Sequence, residues 1–183
     1  SGDPAPTIQF ALPAGATISV TGGGLPPITR DGTFVDGCNG GRVTEGGLPR
    51  VPTSGPCVGL RGSGDEPSGT GLTFRGSRSS AVQGLAITNF ARGVHLWGAD
   101  DNGVAGNWFG VTMNGSPEGN DVAVSVTGRA QSPGPPDPAT SNRIGDASPA
   151  TDSEFAFCSA SSCNVIVDSK IAGTQLRFSA NWP

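Results

Sequence analysis

The sequence predicts an all-β protein wound as a solenoid of short coils, and three observations carry that prediction. Ala81-Val82-Gln83-Gly84-Leu85 is answered by Gly103-Val104-Ala105-Gly106-Asn107, so that Val104 repeats Val82. The triplet Asn102-Gly103-Val104 recurs as Asn142-Arg143-Ile144 and as Asn164-Val165-Ile166, and the interval from Ile144 to Ile166 equals that from Val82 to Val104. Apolar runs such as Thr17-Ile18-Ser19-Val20 and Val122-Ala123-Val124-Ser125-Val126 are punctuated by Gly, Pro and Asn, and no long stretch carries a helical period. A coil of about 22 residues, built from short strands and polar corners, is the pattern of a β-solenoid whose coils stack on one another.

The elements follow in order. Ile8, Phe10 and Leu12 alternate, then Ile18 and Val20, then Leu25 and Ile28, with turns at Pro13-Ala14-Gly15, Gly22-Gly23-Gly24 and Arg30-Asp31-Gly32. Residues 38–56 form a Gly/Pro-rich excursion holding one strand at Leu48 to Val51, and Cys57-Val58-Gly59-Leu60-Arg61 returns to the coil. A loop at 63–70 precedes Gly71-Leu72-Thr73-Phe74. Gly93 to Gly98 reads as a strand ending in the polar corner Asp100-Asp101-Asn102. The interval from Val104 to Ile144 is almost two coils long, so this step carries insertions. The spacing from Val94 to Val124 places about eight of the extra residues in a loop at 112–120, and the rest fall at 128–141. The tail from Gln175 to Pro183 alternates as a strand. No linker divides the chain, so residues 1–183 read as a single domain.

Composition narrows the class. Thirty Gly and 16 Pro in 183 residues approach a disordered composition, but the glycines punctuate regular apolar runs. Eleven basic and 15 acidic residues give a net charge of −4 without charge runs, which is no nucleic-acid footprint. No apolar segment reaches the roughly 18 residues of a membrane span. A start at Ser1-Gly2-Asp3-Pro4 is compatible with a mature form whose leader was removed. Four cysteines allow three pairings. Pairing Cys38 with Cys57 and Cys158 with Cys163 staples one local loop each and implies export; four free thiols in a reducing compartment are the alternative. The spacings are not those of a zinc site, and His95 is the sole histidine.

The opening Ile8-Gln9-Phe10-Ala11-Leu12-Pro13, the Thr17-Ile18 strand, Leu25-Pro26-Pro27-Ile28-Thr29 and Val35-Asp36-Gly37 resemble the start of secreted right-handed parallel β-helix repeat proteins of prokaryotes, the pectate-lyase-like β-solenoids. Val82 to Phe90, Gly93 to Leu96, Val104 to Gly110 and Asn142 to Gly145 resemble the repeat of that family. The resemblance covers most of residues 7–172. It implies a right-handed winding and leaves the activity open, because the family holds lyases, hydrolases, adhesins and surface proteins.

The family's lyases place calcium-binding carboxylates and a basic residue on one exposed sheet, which here draws attention to Arg92, Asp100, Asp101 and Asp121. Glycoside chemistry wants two carboxylates about 5 to 9 Å apart, and calcium wants about six or more oxygens. Asp100-Asp101 reads first as a turn. No catalytic set, metal site or cofactor site emerges. His95 lies between Val94 and Leu96 and is expected on the exposed face. Arg92, His95, Trp97, Asp100 and Asp101 are the candidate carbohydrate contacts. Trp108 is expected in the core. Asn102, Asn142 and Asn164 are expected to stack along one corner, and Asn114-Gly115-Ser116 is a glycosylation sequon in a loop.

The ends carry the functional expectation. Residues 7–12 and 175–182 are strand-like and no amphipathic helix caps either terminus, so open strand edges are expected to recruit other copies. Ile8, Phe10, Leu176, Phe178 and Trp182 are the candidate assembly contacts. The expected protein is a secreted or cell-surface structural subunit, its own partner, polymerising end to end into a filament or surface layer. A carbohydrate-binding or polysaccharide-cleaving β-helix and the N-terminal part of a larger adhesin are the alternatives.

Overall fold

The computed structural model describes residues 5–13, 15–21, 24–38, 44–45, 48–49, 55–63, 67–129, 138–145 and 164–177. They are all-β, with no helix among them, and 14 of the 16 strands lie in three parallel sheets. The chain visits the three sheets in the same sequence five times. The first pass contributes β1 (Thr7–Gln9) and β2 (Thr17–Val20) to the first and second sheets. It then touches the third through bridges at Gly24 and Ile28. The second pass is β3 (Phe34–Asp36), then an antiparallel pair, β4 (Thr44–Glu45) and β5 (Leu48–Pro49), then β6 (Val58–Gly62) and β7 (Thr70–Arg75). The third is β8 (Ala81–Gln83), β9 (Leu85–Thr88) and β10 (Arg92–Trp97). The fourth is β11 (Gly103–Val104), β12 (Trp108–Phe109) and β13 (Val122–Thr127). The fifth is β14 (Arg143–Ile144), β15 (Val165–Ile166) and β16 (Ala172–Arg177).

Parallel pairing puts like positions of successive passes in register, so one apolar position per strand becomes a column. Ile8, Val35, Val82, Val104 and Ile144 form the first column. Ile18, Leu60, Ile87, Phe109 and Ile166 form the second, and Ile28, Phe74, Leu96, Val126 and Leu176 the third. The middle members are at most 7% exposed and make the core. The pairings of Val82 with Val104, Val104 with Ile144 and Val94 with Val124 match the sequence spacing.

Corners set the size of each pass. The turn from β8 to β9 is the single residue Gly84, at φ 72°, where a Cβ would lie 2.9 Å from Cys38 Sγ. A side chain there would meet both backbone strain and a sulfur. Asparagines hold the other corners. Asn102 Oδ1 accepts from Ser80 N, Asn107 Oδ1 from Leu85 N and Asn120 Oδ1 from Phe90 N. Their Nδ2 groups donate to the carbonyls of Ser77, Val82 and Ile87. Each asparagine thus satisfies two buried backbone groups that a tight corner leaves unpaired.

Four expectations are corrected. Asn142 stacks on Asn102, donor to acceptor at 3.1 Å, but Asn164 stacks on Asn107. Consequently Ile166 is in register with Phe109, not Ile144. The segment from Ile144 to Ile166 covers the same step that the fourth pass makes from Val104 to Phe109, with an insertion whose length mimics a period. Trp108 is not a core residue: Phe109 fills the core, while the half-buried indole lies against Gly55, whose Cβ would come within 2.7 Å of it. His95 is half-buried and not freely exposed, because Thr127 and Trp97 flank it. The strand expected at Leu48 to Val51 is seen as β5 over Leu48–Pro49, and Arg50 and Val51 lie outside the described residues.

Candidate functional site

Every large hydrophobic side chain found exposed among the described residues belongs to the first or the last pass. At the first-pass end Ile8 is 42%, Leu12 42% and Leu25 41% exposed. At the other end Val165, Ile166 and Val167 are exposed, with Ile171 at 69% and Leu176 at 61%. Ile8, Ile166 and Leu176 are end members of the three columns, so they are apolar for the same reason as Val35, Phe109 and Val126. Among the described residues no further pass pairs with theirs.

The two ends differ. At the first-pass end a cavity of about 470 Å³ opens, lined by Ile8, Phe10, Leu25, Ile28, Val35 and Leu72 among others. At the last-pass end Ile171 and Leu176 are the most exposed of these side chains. Among the described residues β1 and β2 at one end, and β14 and β15 at the other, are the outer strands of the first two sheets. Arg143 N and Gly145 N donate to Asn102 O and Val104 O, so Ile144 between them turns its backbone to the free edge. Val165 and Val167 donate likewise to Asn107 and Phe109, which turns Ile166 outward. Of the expected assembly contacts, Ile8 and Leu176 are exposed and Phe10 is half-buried against the core. Phe178 and Trp182 lie outside the described residues. Ile18 and Ile28 belong with Ile8 at this end and are not among the expected contacts, although the even spacing of the three isoleucines marks three sheets within one pass.

The candidate carbohydrate contacts divide into two groups. Arg92, His95 and Trp97 share β10. The His95 and Trp97 rings lie nearly parallel, with centroids 6.1 Å apart. Arg75, from the neighbouring strand, sits 4.7 Å over the Trp97 ring, a cation–π contact that no local motif signals. His95 Nε2 is hydrogen-bonded to Thr127 Oγ1. Burial, reinforced by the Arg92 charge, lowers the His95 pKa to about 4. Asp100 and Asp101 serve the corner instead. Thr140 N and Oγ1 both donate to Asp100 Oδ1 at 2.7 Å, and Arg78 Nε lies 3.5 Å from Asp100 Oδ2. Asp101 is exposed with φ 55°, a conformation Asp tolerates in turns.

A trough of about 560 Å³ runs along the outside of the second sheet. Thr17, Gly59 and Ala86, in register on β2, β6 and β9, give it small side chains, and residues 112–118 border it. Arg61 Nε donates to Glu118 Oε1 at 2.6 Å and Thr88 Oγ1 to Glu118 Oε2 at 3.0 Å, which ties the loop to the sheet. Asn114 is exposed at the tip, accepting from Ser116 N. Cys38 and Cys57 form a disulfide across the excursion. Cys158 and Cys163 lie outside the described residues. Among the described residues no three of His, Cys, Asp or Glu gather as metal ligands. No protein-family model, curated protein or solved structure matches this chain.

Proposed function

We propose that the chain is one right-handed parallel β-solenoid domain, secreted or displayed at a cell surface, whose function is structural: it polymerises end to end through its open passes. The observation that supports this best is the confinement of exposed large hydrophobics, among the described residues, to the two ends, on columns that are buried between them. Burying such side chains favours association by about 25 cal/mol per Å² of apolar area removed from water. The free edges of β14 and β15 add backbone hydrogen bonds to an incoming strand. The Cys38–Cys57 disulfide fits an oxidising compartment. Electron microscopy of the purified chain, with its solution mass by light scattering, tests the reading. Regular polymers are expected, and a uniform monomer across concentration would overturn it.

A second reading is favoured by the Arg75–Trp97–His95 row, which combines the aromatic and cationic groups that sugar rings stack on. A polysaccharide that raises the melting temperature of the wild type but not of Trp97→Ala would support it. With Trp97 already covered by Arg75, the row also has a purely structural use, and the assembly reading stands first.

A further inference from the structure

The column register and the cavity point to a directional joint, and we infer that copies stack head to tail, the Leu176 end of one covering the cavity of the next. The inference rests on the end-to-end reading above and adds which surface meets which. Leu176 closes the third column and Ile28 opens it. Coaxial stacking therefore sets Leu176 of one copy above Ile28 of the other. Ile28 lines the first-pass cavity of about 470 Å³, together with Ile8, Phe10, Leu25, Val35 and Leu72. The third column then runs on across the joint, as Ile144 over Ile8 and Ile166 over Ile18 continue the other two.

Three features oppose the symmetric alternatives. Two cavities face to face would enclose apolar space with nothing to fill it, and interiors tolerate few voids larger than a water molecule. Two last-pass ends face to face would leave the cavity of each copy unfilled. Pairing within the three sheets is parallel throughout, and only a head-to-tail joint keeps it so. The third-sheet edge at the cavity also carries Pro26 and Pro27, which have no N–H to give a new strand. There the contact is made by side chains, while the first and second sheets supply edge hydrogen bonds. A joint between unlike surfaces does not close on itself, so the product is a polar, open-ended polymer.

Two exposed positions test the joint without disturbing the core. Leu176→Asp places a charge on the last-pass end, and Leu25→Asp places one at the cavity. Each variant is checked for an unchanged far-ultraviolet spectrum, and its mass is read by light scattering alone and in a 1:1 mixture. Each variant alone is expected to be monomeric, because one of its two unlike ends is blocked. The mixture is expected to give a dimer, through the one intact pair, and nothing longer. A dimer formed by either variant alone would show like ends meeting and would overturn the polarity while leaving self-assembly standing. A mixture that stays monomeric beside a polymerising wild type, or polymers formed by either variant, would overturn it too. A wild type that stays monomeric removes the end-to-end reading itself.

Discussion

His95 is neutral in the folded chain because burial and the Arg92 charge hold its pKa near 4, below the ordinary 6.5. In the unfolded chain it protonates as pH falls through 6.5, while the folded chain resists protonation until about 4. The unfolded state therefore binds more protons in that window, and stability is lost as pH drops through it. Above 6.5 the contribution is fully present. Thermal or denaturant melts are expected to show wild-type stability falling between pH 6.5 and 4, with His95→Gln giving a flatter profile over the same range. Parallel profiles would remove His95 as the cause. The corner asparagines act at this scale too: Asn107 takes the N–H of Leu85 and gives to the carbonyls of Val82 and Ala105, work that no aliphatic side chain can do.

At the scale of elements, the excursion between β3 and β6 has to return the chain to the second sheet after leaving the first. The Cys38–Cys57 disulfide closes it over a sequence separation of 19. Cross-linking a loop of that length stabilises by about 3 kcal/mol, chiefly by restricting the unfolded chain. Cys38→Ser with Cys57→Ser is expected to lower unfolding free energy by about that amount in denaturant melts. It should leave the sheets intact, since β3, β6 and their neighbours pair without it. A loss near zero would show that the excursion is held by its other contacts. The loop at 112–118 is held differently, by Glu118 reaching Arg61 and Thr88.

The whole molecule is a short stack with a graded interior. Core members of the middle passes are buried, and the same columns end exposed, so local opening should be easiest at the two ends. Hydrogen exchange is expected to be slowest for backbone amides of β8 to β10 and fast for those of Ile144 and Ile166, which face the free edge. In polymers the Ile144 and Ile166 amides are expected to become protected. Unchanged exchange there on assembly would place the joint elsewhere.

The repeat spacing by itself determined the all-β class of the described residues and part of their stacking. Val82 over Val104, Val104 over Ile144 and Val94 over Val124 follow from spacing, because parallel pairing keeps like positions in register. Spacing could not assign Asn164-Val165-Ile166 to its sheet. An Asn followed by apolar residues serves more than one corner, and an inserted segment had the length of a coil. Nor could it show that Trp108 lies outside the core, since a two-residue strand has no alternation to read. Only the tertiary structure showed the cavity at the first-pass end, because that depends on how Pro26, Pro27 and Ile28 sit against β7. Sequence period fixed the stacking of Val82, Val104 and Ile144, and the insertion before Asn164 hid that of Ile166.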